Sequence, residues 1–472
     1  MAGFVLVAAQ ERDRAPEVDH GLPPDVPRRA AVDERLVVAV TAVVVVAAVA
    51  WGTLVVDGVR VGLRAAPFAG RWGWHGGLLL VPALVVAAVT VAWGPQAAAR
   101  LRWPWVPLAT GAAAAAWTVA LAAGDGWARL SAPLTSRHEY EPLAGRVGDL
   151  DGFVGGYVDR LGGYPIHVQG HPPGPVVVAW ALDRVGLGGA GWLAAVAITG
   201  WGAAAAAALV TARVVAGEGV ARRAAPLLVL LPASVWAGTS LDGLFAGIVA
   251  AGIALAATGA ARGSRRLVLV AGMALGSALL LTYGTIPLLL VPVVLMLALA
   301  GHPARMLGVL GAGVVVPLAL AALAGFGWFD GLAATRAAYW SGIAAHRPAG
   351  YLTLLGNPAV LAVAVGPAVV VGLADVVART VRRGRSVTRG HDIASGRQGR
   401  VPDGLRTGIL PLAMLAVVVV ADLSQHARGE VERIWLPFVP WLALAAPRSG
   451  RRWLAAQAGV ALVVQSVLVS PW

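Results

Sequence analysis

Apolar runs of about 17–22 residues recur along nearly the whole sequence and are separated by short polar segments. An α-helix of that length crosses the hydrocarbon core of a lipid bilayer. Only 13% of the residues are charged, whereas about a quarter are charged in a soluble domain. Because backbone polar groups inside a bilayer must be satisfied within the chain, such runs fold as helices. The sequence therefore predicts an all-α polytopic membrane protein.

The hydropathy pattern predicts about thirteen transmembrane helices, with a range of about eleven to fourteen if short runs merge or split. Their predicted bounds are Leu36–Val56, Gly77–Gly94, Pro104–Gly124, Ala190–Val214, Ala225–Gly238, Leu241–Ala261, Leu267–Tyr283, Ile286–Ala300, Met306–Phe326, Pro358–Val377, Thr407–Asp422, Ile434–Ala446 and Trp453–Val469.

All 37 basic residues other than histidine are arginines, and most lie in segments that share one side if the N-terminus is cytoplasmic. The first predicted outer loop, with Arg60, Arg64 and Arg71, is the exception. Arginine accumulates on the cytoplasmic side of membrane proteins. We therefore expect a multi-pass plasma-membrane protein with its N-terminus inside. The net charge of +13 is then explained by the arginines of the cytoplasmic segments. It does not indicate nucleic-acid binding, and no nucleic-acid partner is expected.

The polar segments divide the chain into four parts. Residues 1–35 are predicted to form a disordered cytoplasmic tail, because they are polar and of mixed charge. Residues 36–376 form the main transmembrane unit. The Arg/Gly/Ser-rich residues 377–406 are predicted to be a cytoplasmic linker, and residues 407–472 hold the last transmembrane helices. The apolar segment Pro175–Leu187 is too short to cross, so it is predicted to be a juxtamembrane or re-entrant helix opened by Pro172-Pro173.

The polar loop of residues 125–175 is the longest hydrophilic interruption between apolar runs, and arginine placement puts it outside. It gathers acids, histidines and aromatic residues. Glu139 and Glu141 flank Tyr140. A carboxylate beside aromatic residues at the membrane surface could act as a general base toward a sugar hydroxyl. Asp149 is the third catalytic candidate. In such Gly-rich sequence, an aspartate is also typical of a helix cap or an Asx turn.

Two histidines of the same loop, His167 and His171, are predicted to contact substrate. Their spacing of four would suit a metal site on a helix, but Gly170 and Pro172-Pro173 disfavour a continuous helix there. No cofactor follows from the sequence with certainty. A divalent metal, Mg or Mn, is one option, and its ligands would be Glu139, Asp149 and His171.

Further substrate-binding candidates lie at the predicted outer ends of later helices. Asp242 begins a span in TSLDGLFAG, where helix capping is the alternative role. Arg347 and Arg433 lie at the membrane edge beside aromatic residues. There, a guanidinium either snorkels or binds a lipid phosphate bidentately. Tyr283, at the outer end of another span, completes the set.

The order of these features resembles the GT-C superfamily of membrane glycosyltransferases. The features are an acidic outer loop, then HPPGPVVVAWAL, then TSLDGLFAG, then a late segment beginning ERIWLPFVPWLAL. The nearest similarity is to protein O-mannosyltransferases, aminoarabinose transferases, and actinobacterial arabinosyl- and mannosyltransferases. It covers roughly residues 125–450. The chain departs from the pattern because its acidic loop follows the third span rather than the first, and because its best acid is Glu139 rather than an aspartate.

The resemblance implies transfer of a sugar from a polyprenyl-phosphate donor to a glycan, lipid or protein acceptor on the extracytoplasmic face. It implies that Glu139 is the catalytic acid residue of the loop, with Glu141 and Asp149 next, and that His171, Asp242 and Arg433 match the family's later motifs. A lipid-linked sugar flippase or another multi-pass transporter is the alternative. It is disfavoured because ionisable residues are expected mid-span in ion-coupled transporters, and here the acids of the spans fall at predicted helix ends. A non-catalytic membrane scaffold is the third reading.

Overall fold

The computed structural model describes residues 32–388, 403–446 and 450–472. The described residues are mostly helical, with only two short strands among them. Within the described residues, six helices are long and apolar enough to cross a membrane, and a seventh crossing follows if one bent helix pair is a single span. The predicted all-α membrane class is therefore confirmed.

Most helices follow one another along the chain with short connections, several of them 3₁₀ turns, and the longest connection between described helices joins α1 to α2. The first eleven are α1 Glu34–Val55, α2 Val81–Arg100, α3 Trp105–Ala122, α4 Glu141–Ala144, α5 Leu150–Gly155, α6 Ile166–Gln169, α7 Gly174–Arg184, α8 Ala190–Ala216, α9 Glu218–Val229, α10 Ser234–Ala237 and α11 Asp242–Arg262. The others are α12 Arg265–Leu279, α13 Leu290–Leu299, α14 Pro303–Leu323, α15 Trp328–Ser341, α16 Ala349–Tyr351, α17 Asn357–Val365, α18 Pro367–Thr388, α19 Asp403–Leu423, α20 Val431–Ile434, α21 Val439–Ala443 and α22 Arg451–Val467.

The predicted spans agree with these helices only in part. Six of them coincide with the long apolar helices α1, α2, α3, α8, α11 and α14, and the predicted span Pro358–Val377 falls on a helix pair bent by 110°. The remaining six lie on shorter or interrupted helices. Pro232 follows the end of α9, and Pro437 separates α20 from α21, because proline disfavours helix in the residue before it. The count of thirteen stays a prediction.

Two other predictions concern segment boundaries. The short helix α7 has 11 residues, about 17 Å at 1.5 Å per residue, so the prediction of a helix too short to cross is confirmed. Helix α18 continues to Thr388, well into the predicted linker 377–406. Residues 389–402 of that linker and residues 1–31 of the predicted tail lie outside the described residues.

The long helices approach one another closely at paired glycines. A Cβ atom added to Gly111 of α3 would meet the carbonyl oxygen of Gly202 in α8 at 2.7 Å. One added to Gly272 of α12 would lie 2.8 Å from the Cα atom of Gly313 in α14. Helices within membranes associate through such small residues, because lipid provides no hydrophobic drive between them.

The loops gather at two ends of the helical bundle. At the first, which we call the loop end, His75 Nδ1 lies 2.5 Å from Asp125 Oδ1, and the Arg129 Nη2 group donates to the Ser470 carbonyl at 3.0 Å. A two-stranded antiparallel ribbon joins β1 Arg71–Trp72 to β2 Leu468–Val469. The loop end thus unites residues 57–77, the polar loop 125–175 and the segment after α22.

At the opposite end, which we call the arginine end, a different set of segments meets. Arg222 Nη1 donates to the Leu101 carbonyl at 2.9 Å, and the Arg213 guanidinium lies 4.6 Å from the Trp103 ring centroid. Arg452 pairs with Glu34 at 2.8 Å. The segments of the arginine end are the ones that the arginine distribution assigns to the cytoplasm.

Candidate functional site

The polar loop 125–175 packs into a small hydrophobic core that it shares with residues of later helices. That core includes Leu134, Tyr140, Tyr157, Val168 and Phe326. The Tyr157 hydroxyl lies 2.9 Å from the carbonyl oxygens of both Val168 and His171. This buried tyrosine therefore fixes the turn that carries His167 and His171.

Glu139 is 7% exposed, and its Oε1 atom lies 2.6 Å from His167 Nδ1. An ionised carboxylate can only accept, so His167 donates from Nδ1 in this pair. The backbone reinforces the contact, because the His167 N–H donates to the His138 carbonyl at 3.2 Å. The sequence-predicted catalytic acid is thus held by the sequence-predicted histidine of the same loop.

His171 lies beside Tyr140. Its Nδ1 atom is 2.7 Å from the His167 carbonyl oxygen and 3.0 Å from the Tyr140 hydroxyl. Since a carbonyl oxygen only accepts, Nδ1 carries the proton and Nε2 of the neutral ring is an acceptor. Burial lowers the pKa of His171 to about 4, so the ring is neutral at physiological pH.

Asp242 and Arg433 form a buried ion pair between α11 and α20. Asp242 Oδ2 lies 3.1 Å from Arg433 Nη1, and both side chains are 7% exposed. Asp242 also accepts from the Ser240 hydroxyl. The two residues, far apart in sequence, are therefore brought together at the loop end.

Glu430 links the two arginines that were predicted to bind substrate. Its Oε1 atom lies 2.6 Å from Arg347 Nη2, and its Oε2 atom lies 3.2 Å from Arg433 Nη2. The two positive charges lower the pKa of the Glu430 carboxyl to about 2 despite its burial. Arg347 also donates to the Val61 and Arg428 carbonyls at 2.9 and 2.8 Å, so it ties residues 57–77 to the site.

Trp472 joins the histidine side of the site to the arginine side. The Arg433 guanidinium carbon lies 4.5 Å from the Trp472 ring centroid, within the range of a cation–π contact. The His167 and Trp472 ring centroids are 6.0 Å apart. We call the set Glu139, His167, His171, Asp242, Glu430, Arg433 and Trp472 the charged cluster.

The charges of this cluster act on one another. Burial alone would raise the pKa of Glu139, but the hydrogen bond and charge of His167 and the charge of Arg433 lower it below its ordinary value. Burial opposes the charge on Arg433, but Asp242, Glu430 and Glu139 raise its pKa. Glu139 is therefore an ionised base near a permanent cation, within a site largely shielded from water.

Three predicted residues lie elsewhere. Asp149 is exposed and caps α5 by accepting from the Gly152 N–H at 3.0 Å. Glu141 begins α4 and lines a separate cavity of about 40 Å³ beside α7. Tyr283 packs edge-on against Trp328, with ring centroids 5.5 Å apart.

The residues predicted for a divalent metal do not form a metal site together. The Asp149 carboxylate caps α5, and the Glu139 carboxylate bonds His167. In the part of the chain that the structure describes, no group of three histidine, aspartate or glutamate side chains is arranged to hold a metal ion.

An apolar groove opens between the segment after Tyr283 and helix α19. Its volume is about 360 Å³, and its lining includes Ile286, Leu290, Val293, Val417 and Val420. Helix α19, which provides Val417 and Val420, ends at Leu423, seven residues before Glu430 in the sequence.

Three residues in or beside the site were not predicted from the sequence: Glu430, Glu432 and Trp472. Glu430 and Glu432 precede the predicted Arg433 by three residues and one residue, and the density of charge in RGEVER was a usable signal. Glu432 is 1% exposed, and its Oε1 atom accepts from the Ala69 N–H at 2.9 Å. Trp472 carries no local signal, since its contacts with Arg433 and His167 depend on the tertiary fold.

No protein-family model, curated protein or solved structure matches this chain.

Proposed function

We propose that this protein is an integral-membrane glycosyltransferase. It transfers a sugar from a polyprenyl-phosphate donor to an acceptor hydroxyl at the extracytoplasmic face of the plasma membrane. The observation that carries the proposal is the charged cluster, where Glu139 of the polar loop is paired with His167 and feels the charge of Arg433, which is itself paired with Asp242 of a distant helix. A buried base beside a buried cation suits a reaction in which a hydroxyl loses a proton and a phosphate gains charge.

In this reaction, the acceptor oxygen forms a bond to the anomeric carbon, and the bond from that carbon to the donor phosphate breaks. Glu139 takes the proton of the acceptor hydroxyl. His167 orients the carboxylate through the 2.6 Å contact. Arg433 stabilises the charge that develops on the leaving polyprenyl phosphate, because a fixed guanidinium in a water-poor site needs no reorganisation.

The donor's prenyl tail would occupy the apolar groove lined by residues of α13 and α19. The phosphate would then lie at the loop end, within reach of Arg433 and Arg347. This arrangement separates tail binding from head-group chemistry.

The proposed topology has thirteen passes, a cytoplasmic N-terminus and the polar loop outside. Contacts at the two ends of the bundle support it. Arg222 meets Leu101 at the arginine end, and Asp242 meets Arg433 at the loop end, so the chain between Arg222 and Asp242 passes from one end to the other. The same holds between Arg433 and Arg452, which pairs with Glu34. Interrupted helices can therefore serve as passes.

The experiment is a sugar-transfer assay in proteoliposomes with polyprenyl-phosphate sugars as donors. We expect Glu139→Gln to lower transfer at least about a hundredfold, the scale of general-base catalysis. Asp159→Asn, which changes an exposed loop carboxylate, is the matched control. Transfer by Glu139→Gln near the wild-type rate would remove Glu139 from its role.

The alternative of a lipid-linked sugar transporter predicts charged groups along a path through the bundle. Among the described residues, the buried charged side chains are Glu139, Asp242, Arg347, Asp375, Glu432 and Arg433. All except Asp375 belong to the loop end or contact it. This distribution favours a reaction at one surface. Transbilayer movement of a fluorescent lipid-linked sugar without transfer would favour the transporter.

A further inference from the structure

Glu430 occupies both arginines that the proposed function assigns to the donor phosphate. Each of its carboxylate oxygens faces a different guanidinium, at 2.6 Å from Arg347 Nη2 and 3.2 Å from Arg433 Nη2. A phosphate offers oxygens with the same geometry and also pairs with guanidinium groups through two oxygens. The carboxylate and a phosphate would therefore compete for the same donors.

The charges of the cluster make this competition unavoidable. Three carboxylates, Glu139, Asp242 and Glu430, surround Arg433 and influence its pKa, and Glu430 is also paired with Arg347. The arginines are already neutralised, so a phosphate added to the intact cluster would face net repulsion. Tight phosphate binding requires one carboxylate to leave its arginine.

Exposure and backbone geometry identify the carboxylate that leaves. The Glu430 side chain is 21% exposed, three times the 7% of Asp242. Glu430 has φ of +60°, and Gly429 before it has φ of +82°. The left-handed region is costly for a residue with a side chain, and Glu430 is held there by its two ion pairs together with the backbone hydrogen bonds that its carbonyl accepts from Arg433 and Ile434. If those ion pairs are lost, it becomes favourable for the backbone at Glu430 to leave the left-handed region.

We propose that Glu430 is a built-in competitor of the donor phosphate. It pairs with Arg347 and Arg433, yields them to an incoming phosphate, and reclaims them as the polyprenyl phosphate product leaves. This inference rests on the proposed function, since it assumes that the two arginines bind phosphate. Its consequence is that the site exchanges one anion for another, so the buried Arg347 guanidinium does not lose its carboxylate partner without gaining a phosphate; an uncompensated buried charge would be costly.

The test measures binding of farnesyl phosphate to the purified full chain in detergent micelles. Farnesol serves as the neutral ligand with the same tail, and inorganic phosphate as the ligand without a tail. The variants are Glu430→Gln and the control Asp159→Asn. We expect Glu430→Gln to bind farnesyl phosphate about tenfold tighter than the wild type, with farnesol binding unchanged and product release slower. A neutral amide no longer competes for the guanidinium groups.

Weaker binding of farnesyl phosphate by Glu430→Gln would overturn the inference, because it would make Glu430 a structural support of the arginines. If Glu430→Gln binds more weakly but the wild type still prefers farnesyl phosphate to farnesol, only the inference about Glu430 fails and the proposed function is retained. If the wild type binds the two ligands equally, phosphate recognition fails and both proposals fall. Should Glu430→Gln not fold, Glu430→Asp keeps the charge but shortens the reach, and we expect a smaller gain in affinity.

Discussion

Asp242 and Arg433 are 191 residues apart in the sequence, yet their side chains meet at 3.1 Å with 7% exposure each. Arg433 also pairs with Glu430 and packs on Trp472. One guanidinium thus joins α11, the segment before α20 and the end of the chain. Removing one partner of a buried ion pair leaves the other uncompensated, which costs more than the pair contributes.

We expect this pair to show strong energetic coupling. In a double-mutant cycle of Asp242→Asn and Arg433→Gln, the interaction free energy should be about 0.5–3 kcal/mol. The measurement is unfolding of the purified protein in mixed micelles, followed by tryptophan fluorescence. A parallel cycle on Glu218 and Arg222, an i,i+4 pair at the arginine end, should give about 0.3–0.5 kcal/mol. Additive effects of Asp242 and Arg433 would contradict the prediction.

The acid limb of the pH–rate profile should depend on His167. His167 donates to Glu139 and lowers its pKa, while burial acts to raise it. In His167→Phe, the burial remains and the hydrogen bond is lost, so the pKa of Glu139 rises and activity is lost at higher pH than in the wild type. His138→Phe, at an exposed neighbouring histidine, should leave the acid limb in place. An unshifted limb in His167→Phe would count against Glu139 as the base.

His171 should make the fold sensitive to acid. Its pKa falls from 6.5 to about 4 on folding, chiefly because of burial, so the unfolded chain binds a proton that the folded chain does not. Its stabilising contribution is fully present above pH 6.5 and is lost as the pH falls toward 4. We expect the melting temperature of the wild type to drop more steeply over this window than that of His171→Asn. Parallel curves for the two proteins would refute the assignment.

Glu432 should have the opposite dependence on pH. Burial raises the pKa of its carboxyl to about 7, and Oε2 is buried without a hydrogen-bond partner. The folded state therefore holds a proton that the unfolded state releases above pH 4.5, and stability falls as the pH rises through 7. We expect Glu432→Gln, which keeps the acceptor for the Ala69 N–H, to melt at higher temperature than the wild type at pH 8. Glu432→Ala should melt at lower temperature, because it leaves that N–H unpaired.

The glycine contact between α3 and α8 should be essential for packing. A Cβ atom at Gly202 would meet the Gly111 carbonyl oxygen at 2.6 Å, so Gly202→Ala should destabilise the bundle by about 1–3 kcal/mol, the usual effect of overpacking. Gly308 of α14 has open space at its Cβ position. Gly308→Ala should therefore stabilise the helix by up to about 1 kcal/mol. Equal melting temperatures for the two variants would contradict the role of the contact.

Composition and hydropathy sufficed for the class of fold, because exclusion of water from a bilayer leaves helices as the available structure for long apolar runs. They also located six long helices and the short helix α7. Helix breaks at Pro232 and Pro437 were less predictable. A hydropathy window averages across a proline, whereas the backbone responds to it at a single residue.

The sequence by itself determined which side chains could carry chemistry: Glu139, His167, His171, Asp242, Arg347 and Arg433 all come to the loop end. Only the tertiary structure decided their partners. It placed Asp149 as a helix cap, put Glu430 between two arginines, and brought Trp472 under Arg433. The reason is that local patterning records burial and turn preference, whereas these pairings join segments far apart in the chain and arise only when the helices pack.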